Sequence, residues 1–150
     1  MDNQLTPKNR LMSGVIPYLA LDNVDDAIAF YQKAFGGIVR GEPARDDSGN
    51  ILNASLEINS GCLMLSDHQP MMGDKFPKSN NALTMQIVTD KGRFWWDRAV
   101  AAGCVVDDPF EVKFWGDEYG RLEDPFGVKW AILQPSEQAL EAAKQLEIQQ

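Results

Sequence analysis

The stretch VIPYLALDNVDDAIAFYQKAFGG, Val15 to Gly37, carries the pattern that decides the fold. Val15 to Leu21 is a short apolar run with the length of a buried strand. Pro17 has no amide hydrogen for a ladder, so it belongs near a strand start or on an edge. Asp22 or Asn23 then caps a helix in which Val24, Ala27, Ile28, Tyr31, Ala34 and Phe35 recur at three- and four-residue spacing. Gly36-Gly37 supplies the left-handed stop.

Working outward, Ile38 to Ala44 reads as a second strand, and Asp46-Asp47-Ser48-Gly49-Asn50 is turn chemistry leading into a strand over Ile51 to Ile58. A turn at Asn59-Ser60-Gly61 precedes a further strand, Cys62 to Leu65. Residues 67–81, with Pro70, Gly73 and Pro77, have the composition of a connection. The order then repeats. Leu83 to Val88 is a strand, and Thr89-Asp90 caps a helix carrying Phe94, Trp95, Ala99, Val100 and Ala102 that stops at Gly103. Cys104 to Val106, Phe110 to Trp115, Tyr119 to Glu123 and Val128 to Leu133 are strand candidates, separated by Asp107-Asp108-Pro109, Gly116-Asp117 and Asp124-Pro125-Phe126-Gly127. Pro135-Ser136 opens a last helix, about 136–148, whose Leu140, Ala143, Leu146 and Ile148 form a narrow apolar stripe suited to packing on the body or on another subunit. The expected organisation is one domain: a first module over about 14–66, a connection over 67–81, a second module over about 82–134, and the final helix. The polar residues ahead of Val15 read as a frayed terminus.

Composition narrows the function. Lys+Arg 14 against Asp+Glu 22 gives a net charge of -8 without a basic cluster, which disfavours nucleic acid and anionic membranes as partners. No window approaches the roughly 18 apolar residues of a membrane helix, and no apolar leader opens the chain. Cys62 and Cys104 sit in no metal or dithiol spacing, so both are expected to be buried thiols in a cytoplasmic protein. Motifs for nucleophilic hydrolases, nucleotide binding and dinucleotide binding do not occur.

Three stretches resemble the vicinal oxygen chelate superfamily, which includes glyoxalase I, extradiol dioxygenases and bleomycin-resistance proteins, and within it the PhnB-like branch. They are Pro17-Tyr18-Leu19 with Asp25 to Tyr31 and Phe35-Gly36-Gly37; Met64-Leu65-Ser66-Asp67; and the run from Phe114 to Trp130, the most specific of the three. The resemblance covers about residues 14–134. It implies an α+β fold of paired βαβββ modules whose curved mixed sheets enclose a cleft, plus the C-terminal helix, and it implies a homodimer.

In metal-dependent relatives, the opening and closing strands of each module present His-like and Glu-like ligands. Laid on that pattern, this chain offers Ile16 or Pro17, Met64 or Leu65, Thr84 and Ala131, and a one-residue slip finds Tyr18, Gln86 or Trp130. None of these is a competent set for a divalent ion, so neither a metal nor another cofactor is expected. Displaced ligands would have to come from Asp67, His68 and Asp74. His68 is the sole histidine; it reads either as a loop residue beyond a strand or as a general base. The pairs Asp25-Asp26, Asp46-Asp47 and Asp107-Asp108 fit caps and turns, and Asp124-Pro125-Phe126-Gly127 fits a tight turn in which Asp124 bonds local amides. The adjacent Trp95 and Trp96 cannot both face one core. The aromatic side chains of the second module either pack a sheet or line a cavity wall for a flat ligand. Tyr18, Gln86, Trp115, Tyr119, Arg121 and Trp130 are therefore the candidate ligand-binding residues, with a small organic molecule as the expected partner. The alternative is a metal-dependent lyase, isomerase or dioxygenase using displaced ligands.

Overall fold

The structure is a computed structural model in which residues 14–67 and 83–149 are described. His68, Asp74, most of the connection and the residues before Gly14 lie outside them. The chain divides into two compact units, residues 1–76 and 77–150. The first contains β1 (Tyr18–Leu21), α1 (Val24–Phe35), β2 (Ile38–Arg45), β3 (Ile51–Ile58) and β4 (Gly61–Asp67). The second repeats this order with β5 (Met85–Val88), α2 (Gly92–Ala102), β6 (Val105–Val112), β7 (Glu118–Glu123) and β8 (Lys129–Gln134), then adds α3 (Glu137–Ile148). The architecture is α+β, with an open four-stranded mixed sheet in each unit, ordered β1-β4-β3-β2 and β5-β8-β7-β6. In each, the opening strand runs parallel to the closing strand and the other pairs are antiparallel.

Pairing of the first strand begins at Tyr18, later than the apolar run suggests, because Pro17 contributes only its carbonyl, which accepts from the Met64 amide at 3.0 Å. Asn23 is the cap of α1, accepting from the Asp26 amide at 3.1 Å, and Gly36 ends the helix with φ 62°. The apolar spacing buries Val24, Ala27, Tyr31, Ala34 and Phe35 against β3 and β4. Tyr31 and Phe35 stack with centroids 6.0 Å apart. In the second unit Trp96 is buried and stacks on Phe110 at 5.5 Å, while Trp95 is only partly covered, which is how a helix must divide adjacent side chains.

Three boundaries differ from the pattern read in the sequence. Residues 104–115 do not form two strands: β6 runs unbroken through Asp107-Asp108-Pro109, with register shifts between Val106 and Asp108 and between Asp108 and Glu111. β6 is an edge strand, so the missing proline amide faces no partner and a bulge absorbs it. The edge strand β2 treats Pro43 in the same way, with a shift between Arg40 and Ala44. Phe114 and Trp115 consequently lie in the turn between β6 and β7, closed by the Gly116 amide donating to the Lys113 carbonyl and the Lys113 amide to the Asp117 carbonyl, both at 2.9 Å. Finally, β4 extends to Asp67, and the first amide of α2 is not served by Thr89 or Asp90: the residue at the cap position, Lys91, makes no side-chain cap bond.

Glycine at position 120 sets how closely α2 approaches its sheet. A Cβ there would meet the Trp96 ring at 2.6 Å and the Phe110 backbone at 2.7 Å. Gly120→Ala should therefore destabilise the fold by about 2–3 kcal/mol through overpacking. Urea unfolding checks this, and a loss below about 0.5 kcal/mol would contradict the packing described.

Candidate ligand-binding face

Alternation divides each sheet into a face covered by its crossover helix, α1 or α2, and a face that this helix leaves free, here called the helix-free face, which in the second sheet borders α3 at Val88 and Leu140. In the second unit, Ile87, Gly120, Leu122, Trp130 and Ile132 stand on the covered face and all five are buried. The strand register leaves two rows on the other face: Gln86, Ala131 and Arg121, then Val88, Leu133 and Tyr119. Three candidates from the sequence, Gln86, Tyr119 and Arg121, thus share this face. Trp115 reaches them from the β6–β7 turn: its ring meets Tyr119 edge-on, with centroids 5.6 Å apart, and Phe114 at 4.9 Å. Trp115 is 48% exposed and Phe114 99%.

Trp130 is placed differently. It is buried on the helix side, and its indole N–H donates to Asp124 Oδ2 at 2.8 Å. The other Asp124 oxygen accepts from the amides of Phe126 and Val128 at 2.8 and 3.0 Å, fixing the turn in which Gly127 has φ 82°. Tyr18 belongs to the first unit, where it is half-exposed, paired with Met64, and donates its hydroxyl to the Leu52 carbonyl at 3.2 Å.

Charge on the face is largely balanced by neighbours. Arg121 Nε lies 3.4 Å from Asp107, Lys129 pairs with Glu123, and the Lys113 ammonium bonds Asp108, Glu111 and the Pro109 carbonyl. In the first unit Arg45 is held by both oxygens of Asp25 at 2.8 and 2.9 Å, which lowers the Asp25 carboxyl below its ordinary range. Neither arginine is left as an uncompensated anion receptor.

Asp67 carries a structural task. Its oxygens accept from the Val24 amide at 2.9 Å and the Ile51 amide at 2.6 Å, holding the first turn of α1 and the start of β3. Gln134 does the equivalent in the second unit, accepting from the Gly92 amide at 2.8 Å. Across the two parallel pairs, Tyr18 stands opposite Met64 and Gln86 opposite Ala131. Among the described residues no group of three His, Cys, Asp or Glu side chains converges.

The sequence reading missed a hollow of about 270 Å³ beside the second row. It is lined by the apolar side chains of Val88, Pro135 and Leu140 and by Thr89, Asp90, Gln134 and Glu137. The alternation of Gln86 and Val88 against Ile87 was the available signal for one wall, but Leu140 arrives from α3, whose placement no local pattern gives. Asp117 fixes that placement, accepting from the Ser136 amide at 2.7 Å and so tying the Trp115-bearing turn to the start of α3.

The model of the Glyoxalase/Bleomycin resistance protein/Dioxygenase superfamily matches residues 14–132, and the chain belongs to that superfamily. A Mycobacterium tuberculosis protein, the uncharacterised Rv0887c, is 36% identical over 124 residues, covering 79% of this chain and 72% of the relative. Among solved structures, a PhnB protein from Bacillus cereus superposes with TM-score 0.66 at 16% identity, over 82% of this chain and 100% of that one. TnmS3, an antibiotic binding protein from Streptomyces sp. CB03234, superposes with TM-score 0.58 at 21% identity, over 83% and 97%. At these identities the two structures speak for the fold.

The two anchors differ in chemistry, and their removal should differ in cost. Asp67→Ala strands two amides and loses charged bonds, about 2–3 kcal/mol, whereas Gln134→Ala loses one neutral bond, about 1 kcal/mol. Equal losses in chemical denaturation would contradict these roles. The thiols give a second check. Burial, with a smaller contribution from the Asp124 charge, pushes Cys104 up to about 12, and burial also raises Cys62, helped by Glu57. A thiol kept neutral by the fold stabilises it below the ordinary thiol value, and that stabilisation is lost as pH rises from about 9 toward 12. At pH 8 a disulfide reagent should modify native Cys62 before Cys104, both reacting quickly only after unfolding; fast native modification of Cys104 would overturn its assignment.

Proposed function

We propose that this protein is a PhnB-like binder that holds a flat, largely apolar organic molecule on the helix-free face of its second sheet, as a cytoplasmic homodimer and without metal chemistry. The observation that carries the reading is the juxtaposition of Trp115, Tyr119, Gln86 and Arg121 there, opposite a covered face where Trp130 and Asp124 stiffen the sheet. Aromatic rings supply contact area for a planar ligand, at roughly 25 cal/mol per Å² of apolar surface buried, and Gln86 offers an amide to orient it. An antibiotic-binding neighbour with the same fold supports a binding role.

A thioether, a methyl group, an amide and a phenol already bonded to a carbonyl do not fit the donor set of a divalent ion, so no catalytic step is routed through one. The rival reading, an enzyme with displaced ligands, is weakened at Asp67, whose two oxygens are engaged by backbone amides.

A planar probe, 9-amino-6-chloro-2-methoxyacridine, should quench tryptophan fluorescence saturably. Tyr119→Ala or Trp115→Ala should weaken its binding by about tenfold or more, corresponding to about 1.4 kcal/mol of lost aromatic contact. Undiminished binding by both variants would contradict the site. Stoichiometric divalent metal in protein purified without chelator, and lost on His68→Ala, would favour the enzyme instead.

A further inference from the structure

We propose that the Phe114 ring of one protomer seats in the hollow beside Val88 of a second copy, and that a two-fold axis makes the contact reciprocal. The inference rests on the reading of the protein as a homodimer and names the surface through which it forms.

The projecting ring is the first observation. Phe114 is 99% exposed, yet it stands in the turn closed by the two 2.9 Å bonds of Lys113, and its ring meets Trp115 at 88° with centroids 4.9 Å apart. Asp117, in the same turn, accepts from the Ser136 amide at 2.7 Å. An aromatic side chain in water on a backbone already held in place has little freedom left to lose on association, which suits it to anchor an interface.

The receiving hollow is the second. At about 270 Å³ it exceeds the roughly 150 Å³ that admits a benzene molecule to an apolar protein cavity. Part of its apolar lining is still open to water, Val88 at 48% and Leu140 at 46% exposure, and a phenyl ring that covers them gains in proportion to the area removed from solvent. The charges around it balance. Asp90 and Glu137 are negative and Lys91 is positive, and the N-termini of α2 and α3 each add roughly half a positive charge. With no net charge to draw an ion, the hollow fits an uncharged ring.

Position is the third. Ser136, which Asp117 holds, stands between the lining residues Pro135 and Glu137, so the turn and the hollow are neighbours in the second unit. Phe114 does not fill the hollow of its own chain, since its ring remains in water. A two-fold interface needs both halves of a contact on one surface patch, and an adjacent ring and hollow meet that need twice. Phe114 offers about 200 Å² of ring and covers a similar area of lining, so two such contacts bury about 800 Å², the core of an interface of standard size, about 1,600 Å². α3, none of whose residues is buried, borders that core and supplies further surface. Each inserted ring also closes the Val88 end of the row Val88, Leu133, Tyr119, so the partner walls the ligand-bearing face.

Sedimentation equilibrium of Phe114→Asp and Leu140→Asp tests the contact, with circular dichroism to check that each variant keeps the native fold. Each should weaken the dimer by about a hundredfold or more, as loss of an aromatic anchor does. An equimolar mixture of the two variants should associate more tightly than either alone, about tenfold more weakly than the native dimer, because the ring of the Leu140→Asp chain still meets the intact hollow of the Phe114→Asp chain. Oxidation of mixed Phe114→Cys and Leu140→Cys chains should give a covalent heterodimer, a reading independent of the acidic variants. A native dimer unaffected by both acidic variants, a mixture no tighter than its components, or absence of the cross-link would overturn this interface while leaving the homodimer intact. A native protein that stays monomeric up to near-millimolar concentration would remove the homodimer and this contact together.

Discussion

The first backbone amide of each crossover helix is held by the last residue of the strand that closes its unit, and much of the described architecture follows from that bond. Helix termini leave amides without partners, and an anchor that supplies an acceptor also fixes where the helix starts over its sheet. Asp67 does this for Val24 and also takes the Ile51 amide. Gln134 does it for Gly92 with a neutral oxygen. Gly92 is required at that point, since a Cβ would lie 2.5 Å from the Phe110 ring and 3.0 Å from the Gln134 oxygen that makes the bond. With the helix seated, one face of each sheet is committed to packing against it, and the other carries a separate set of side chains.

That division gives the aromatic residues different roles despite their similar chemistry. Trp96, Phe110 and Trp130 stand on the committed face and are buried. Trp115 and Tyr119 stand on the available one, assembled by the turn that Lys113, Gly116 and Asp117 close. The Asp117 carboxylate then carries the turn's position to Ser136 and so to α3. A single acidic side chain thereby relates the aromatic contact to the wall of the hollow. No residue of α3 itself is buried, so this bond and the cap at Ser136 account for its placement.

Much of this was legible in the residues. The three- and four-residue spacing of α1, the Asn23 cap and the Gly36 stop act within a few positions, and they predicted the helix correctly. The Asp124-Pro125-Phe126-Gly127 turn is equally local. The errors have a common cause. Pro109 reads as a break because proline removes a ladder donor, but whether that donor is needed depends on β6 lying at an edge, a property of the assembled sheet. The same holds at Pro43. Trp115 was placed on a strand because the break was placed six residues too early. Trp130 looks like an available ring in the sequence, and only the cross-strand register and its bond to Asp124 show that it faces the helix. Asp67 reads as a possible ligand until two distant amides claim it. Pairings more than a dozen residues apart carry the site, and no window of sequence contains them.

The proposed role places a planar organic ligand on the helix-free face of the second sheet, at Trp115 and Tyr119. A crystal of the protein soaked with 9-amino-6-chloro-2-methoxyacridine tests it most directly. Electron density for the ring is expected against Trp115 and Tyr119, within reach of Gln86. Density for a metal ion on the opening and closing strands, or a ring bound elsewhere with this face left to solvent, would contradict it.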